Sequence, residues 1–169
     1  RLAVFGIVIM AVATAGAMAW AAEMGVAVTN ACMEEEVDGK PSHWQLWTTS
    51  EPDVSFALDR EVRHGGRAAL RIRADKETLY SVAGQRVSGL RAGELYAFSG
   101  WIKTQDVVAR ADYTGAYLVT TSRDREDRIL ETKYSHMQCG TADWQLITRY
   151  FTTLAGTASV EISCVLKQC

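Results

Sequence analysis

The chain is a succession of short runs in which apolar and polar residues alternate, separated by glycine-bearing turns, with no stretch that keeps a helical period. Alternation at every second residue is the signature of half-buried strands. Runs near 26–32, 54–58, 68–73, 79–87, 95–103, 115–122, 144–152 and 158–166 carry it. The turns "RHGG", "LRAGE", "CGTAD" and "LAGTA" punctuate four of them. Some eight strands without helices between them predict an all-β domain, a two-sheet antiparallel sandwich of jelly-roll type. The 169 residues suffice for one core but not for two domains of ordinary size. The segment 38–53 holds both prolines and two of the five tryptophans. It reads as a long ordered loop of the kind that carries function on a rigid scaffold.

The net charge of −2, with Lys and Arg interleaved among acids, argues against a nucleic-acid partner. Arg1 precedes an uncharged apolar run to Ala22 that ends in alanine-rich triplets. A basic start, an apolar middle and a small-residue end describe a secretory signal peptide, residues 1–21, with cleavage after Ala21 or Ala19. The run is also long enough for a retained membrane anchor. On either reading residues 22–169 are exported, secreted or held in the cell envelope, and on the first no membrane contact remains after cleavage. Export permits disulfides among Cys32, Cys139, Cys164 and Cys169, in any of three pairings. Cys164 alternates with Val160, Ile162 and Leu166 and reads as a small buried hydrophobe. We read the chain as part of a longer open reading frame.

Four segments together resemble exported carbohydrate-binding modules of families four, nine and twenty-two, which share a galactose-binding-like jelly roll. They are "TNACMEEEVDGKPSHW" (29–44), "DREVRHGGRAALRI" (59–72), "VSGLRAGELYAFSGWIKT" (87–104) and "GTADWQLITRYFTT" (140–153). Departures stand at Ala31, Met33 and Ala69. The strand with which the family closes does not follow, so the resemblance implies a jelly roll lacking its final strand. It also implies a non-catalytic module that recruits polysaccharide or oligosaccharide to a downstream catalytic domain of the same chain. A spacer that packs on its neighbour without binding sugar is the alternative. Glu34, in this resemblance, helps hold a structural calcium, weakly or not at all here because a second carboxylate would come from the closing strand.

Sugars present apolar C–H faces and rims of hydroxyls, so a site needs flat aromatics beside amides, carboxylates or Arg. Trp101 lies opposite the core series of its strand, alongside Lys103. Trp47 is the ligand candidate of the long loop, whereas Trp44 reads as a plug into the core. Tyr117, Tyr150 and Gln85 complete the candidate set, Gln85 as an amide donor. Arg149 shares the parity of Ile147 and Phe151, so it is either ion-paired or on an open face. No nucleophile elbow, zinc-protease helix or phosphate loop is present.

Overall fold

The computed structural model describes residues 2–8, 28–110 and 112–167, with the side chains of 5–8 excepted. None of these residues is helical. The strands in chain order are β1 (Leu2–Val8), β2 (Glu36–Val37), β3 (Lys40–Pro41), β4 (Gln45–Thr48), β5 (Val54–Asp59) and β6 (Ala69–Ala74). They continue with β7 (Ser81–Ser88), β8 (Leu95–Val107), β9 (Gly115–Arg123), β10 (Ile129–Tyr134), β11 (Gly140–Thr152) and β12 (Ser159–Lys167). Two five-stranded antiparallel sheets result, ordered β11-β8-β1-β6-β5 and β10-β9-β12-β7-β4, with β2 and β3 forming a small ribbon. This is the expected all-β sandwich, with the strand arrangement of a jelly roll.

The core lies between the sheets, and period-two geometry selects its members. From β8 come Tyr96, Phe98 and Ile102, and from β6 Leu70 and Ile72. Facing them are Ala116 and Leu118 of β9 and Val160, Ile162, Cys164 and Leu166 of β12. Burial pushes the Cys164 thiol far above its ordinary range, the expected fate of a cysteine used as a hydrophobe. Cys32, Cys139 and Cys164 are free thiols, and Cys169 lies outside the described residues.

Asn30 organises the entry to the second sheet. Its Oδ1 accepts from the backbone N–H groups of Glu34 and Glu35, at 2.9 Å each. Its Nδ2 donates to the carbonyls of Glu35 (2.7 Å) and Ser42 (3.1 Å). The Trp44 indole donates to the Asn30 carbonyl at 3.2 Å, and the ring is 6% exposed, plugging the loop into the core as expected.

Seven of the eight expected strands are present. The run 26–32 is not a strand where it is described. Residues 29–33 form a turn in which Asn30 and Met33 hold positive φ, 51° and 56°. The loop 38–53 contributes β3 and β4 rather than remaining irregular. Residues 2–8, read from sequence as part of a leader, form a central strand of the first sheet. They pair with β8 from Leu2↔Gln105 to Val8↔Ser99 and with β6 from Leu2↔Arg73 to Phe5↔Leu70. Ala3 is fully buried in the core. The remainder of the leader reading, residues 9–21, lies outside the described residues.

Candidate functional site

The outer face of the second sheet carries a groove of about 640 Å³ that crosses β4, β7, β12, β9 and β10. Register explains its composition. On β4, Gln45 and Trp47 stand opposite Gly84 and Val82, all on the side away from the core. On β9, Val119 and Thr121 lie beside Ser163 and Glu161 of β12 and opposite Tyr134 and Thr132 of β10. Gly84 leaves the floor low between Gln45 and Ser163.

Aromatic rings stand at both ends. Trp47 is 55% exposed, and its ring meets Tyr80 edge-on at 5.8 Å. Tyr134, at the far edge on β10, is 44% exposed, with Tyr113 beyond it at 6.0 Å. Tyr117 lies beneath Tyr134, its ring 6.1 Å away, sealed in a small cluster with Val82, Val119 and Val165. Both faces of β9 are thus packed, Ala116 and Leu118 in the core between the sheets and Tyr117 and Val119 in this second cluster.

Between the rings Val82, Gly84 and Val119 are interspersed with Thr121, Thr132, Ser163, Arg123 and Glu161. Arg123 Nε and Nη2 both donate to Glu161 Oε2, at 3.3 Å each, a charge-assisted contact between the two groups. Burial pushes the Tyr80 phenol above its ordinary value, and the nearby Tyr134 and Glu161 push in the same direction. Tyr80 therefore stays a neutral hydroxyl that can donate and accept. Glu161 is the one carboxylate lining this groove, and Arg123 holds it.

The candidates named from sequence are divided among three places. Trp47 lines the groove and Tyr117 underlies it. Trp101 and Tyr150 stand on the outer face of the first sheet, on the opposite side of the sandwich. Trp101 has the parity expected of it, with Leu146 of β11 as neighbour. It is not open, however, because His64 stacks on it with centroids 3.8 Å apart and planes 12° from parallel. Trp144 meets that histidine edge-on at 5.7 Å, and Lys103 is engaged by Asp143 at 2.8 Å. Tyr150 is 53% exposed on the same face. Gln85 points inward: its Nε2 donates to the carbonyls of Thr29 (2.9 Å) and His43 (3.0 Å), and its Oε1 accepts from Thr29 N–H. It anchors the loop.

Glu34 sits beside Gly66, and its carboxylate is occupied. Oε1 accepts from the Arg67 backbone N–H at 2.6 Å, and Oε2 pairs with Arg67 Nε at 2.5 Å. The Arg67 hydrogen bonds hold its pKa below the usual carboxylate value. Among the described residues no three His, Cys, Asp or Glu side chains converge. Calcium needs six or more oxygens, and a carboxylate already bound to a guanidinium does not fit that role.

Sequence reasoning missed Tyr80, Tyr134, Arg123 and Glu161. Tyr80 continues the outward series Val82, Gly84, Arg86, a signal that was available. Strand β10, "ILETKY", carries charges at Glu131 and Lys133 and has an irregular register at its start, which obscured it as a strand.

No protein-family model and no curated protein matches the sequence. Solved structures do match. The enzymatically active domain of tailspike protein 4 from bacteriophage CBA120 superimposes with a TM-score of 0.63 at 12% identity, over 81% of this chain and 20% of that one. The chain thus spans about a fifth of that tailspike chain, and the likeness is one of fold. A second match, at a TM-score of 0.47 and 13% identity, is the CBM22-1 xylan-binding domain of Paenibacillus barcinonensis Xyn10C, over 78% of this chain and 85% of that one.

Proposed function

We propose that this chain is an exported, non-catalytic glycan-binding domain whose site is the groove on the outer face of the second sheet. One observation carries the reading: exposed Trp47 and Tyr134 flank a trough floored by short hydroxyls and the Arg123–Glu161 pair. Pyranose rings would stack on the aromatics, and their hydroxyls would bond to Gln45, Tyr80, Arg123 and Glu161. The likeness of sequence to carbohydrate-binding modules supports the same class. As in such modules, the domain would hold polysaccharide near a catalytic domain of the same polypeptide.

The test is a glycan array probed with the folded chain, followed by affinity electrophoresis in the glycans that bind. Binding that weakens on Trp47→Ala and on Tyr134→Ala is expected. Failure of the folded chain to bind any glycan would overturn the proposal.

The outer face of the first sheet favours a second role for the same domain. Leu95, Leu146 and Tyr150 are exposed there, beside the half-buried Trp101 and Trp144. An apolar patch of this kind suits packing against a neighbouring domain. A spacer that does only this would leave the groove idle, and the array distinguishes the two.

A further inference from the structure

A second cavity, about 540 Å³, opens beside the groove where the sheet edges β10 and β11 part. Tyr113, Lys133, Tyr134, His136, Met137 and Arg149 contribute to its wall, and none of its eight lining residues is acidic. Tyr134 and Thr132 also line the first groove, so the two depressions meet along β10.

Arg149 is the anomaly. It follows the inward parity of Ile147 and Phe151 on β11, yet no carboxylate among the described residues pairs with it. Its Nε is sealed from solvent and makes no hydrogen bond. Lys133, by contrast, already has Glu131 at 3.1 Å. A guanidinium drawn partly inside a protein is costly unless an anion meets it. Of the two arms of the earlier reading, the ion pair is not formed; what the structure shows is a cationic side chain at the wall of a cavity.

We propose that this cavity is a subsite for the carboxylate of an acidic sugar, with Arg149 as its anchor. The inference rests on the glycan-binding reading and deepens it. A neutral ring would occupy the trough at Trp47, the chain would cross β10 over Tyr134, and a uronate would place its carboxylate against Arg149 between Tyr113 and Lys133. Guanidinium and carboxylate match in a planar two-point pair, and the flanking phenols offer faces for the ring.

The experiment measures affinity for polygalacturonate, alginate and hyaluronan, each against its own carboxyl-reduced derivative, with dextran and dextran sulfate alongside. At least one acidic polymer should bind about tenfold more tightly than its reduced form, the size expected of a charge-assisted hydrogen bond. Arg149→Gln should erase that preference while binding of the reduced polymer persists, and Arg149→Lys should restore part of it. Should Arg149→Gln fail to fold, Lys133→Gln is the second test and should narrow the preference. Equal binding of acidic and reduced polymers, or a preference that survives both variants, would overturn the subsite and leave the glycan-binding reading standing. A preference for dextran sulfate alone would replace the carboxylate by a sulfate and overturn the uronate assignment. No binding to any of these polymers would overturn the subsite, and no binding on the glycan array as well would overturn both.

Discussion

Replacing Trp47 by alanine should weaken glycan binding by an order of magnitude and leave the fold in place. A tryptophan can cover roughly 250 Å² of contact surface. In this structure 55% of Trp47 is still open, so about 140 Å² is free for a ligand, and a pyranose stacked on one face would take about half of that. At ~25 cal/mol per Å² the contact is worth about 1.7 kcal/mol, or roughly 15-fold in Kd. The folded state loses far less. The side chain leaves the core untouched, and its edge contact with Tyr80 at 5.8 Å contributes no more than ~1.5 kcal/mol. Isothermal titration with the best ligand from the array, paired with a thermal melt, separates the two effects. Trp101→Ala is the matched control, since it removes the same ring from the opposite face. Unchanged affinity in Trp47→Ala with a loss in Trp101→Ala would refute the reasoning, because the sugar would then lie on the first sheet.

Other outcomes follow from particular contacts. Asn30→Ala removes five hydrogen bonds that tie residues 30–42 together, and thermal or urea unfolding should show a loss of about 2–4 kcal/mol. Gly66→Ala should destabilise by about 1–3 kcal/mol on chemical denaturation. Gly66 holds a φ of +62°, and a Cβ there would lie 2.2 Å from Glu34 Oε1. Arg67 lowers the Glu34 pKa in the folded state, so the stability from this pair is complete above the unfolded value near 4.5 and fades as pH falls through the lower folded value. Melting curves from neutral to acidic pH should show that fall, and Glu34→Gln should flatten it. Ala3→Asp places a charge in the core beside Ile72 and Thr104. If β1 remains in the folded protein it should unfold or lose several kcal/mol; an unchanged melt and a mass lacking residues 1–21 would show that the proposed leader is removed and β1 with it.

Much of the sandwich was legible because strands declare themselves by parity. In β8 the series Tyr96, Phe98, Ile102 names the core, and Trp101 falls on the other side as it must. Parity says nothing of which outer face is used, since both sheets have one. Trp101 attracted attention through its strand, but His64, distant in sequence and lodged in a turn, lies flat against it. Trp47 and Tyr134 come from short edge strands: β4 pairs with β7, far along the chain, while β10 pairs with the adjacent β9 through an irregular register. Gln85 was misplaced for a related reason: a buried amide is permitted when a loop supplies its carbonyls, and no local pattern reveals that loop. Arg149 was the most informative residue, because its parity conflicted with its charge before any fold was known.

Backbone amide shifts give the most direct test of where a glycan sits. With isotope-labelled protein and an oligosaccharide selected on the array, perturbations should cluster at Trp47, Tyr80, Thr121, Glu161 and Tyr134, with the Trp47 indole moving most. Shifts gathered instead around His64, Trp101, Trp144 and Tyr150 would put the ligand on the other sheet and contradict the account.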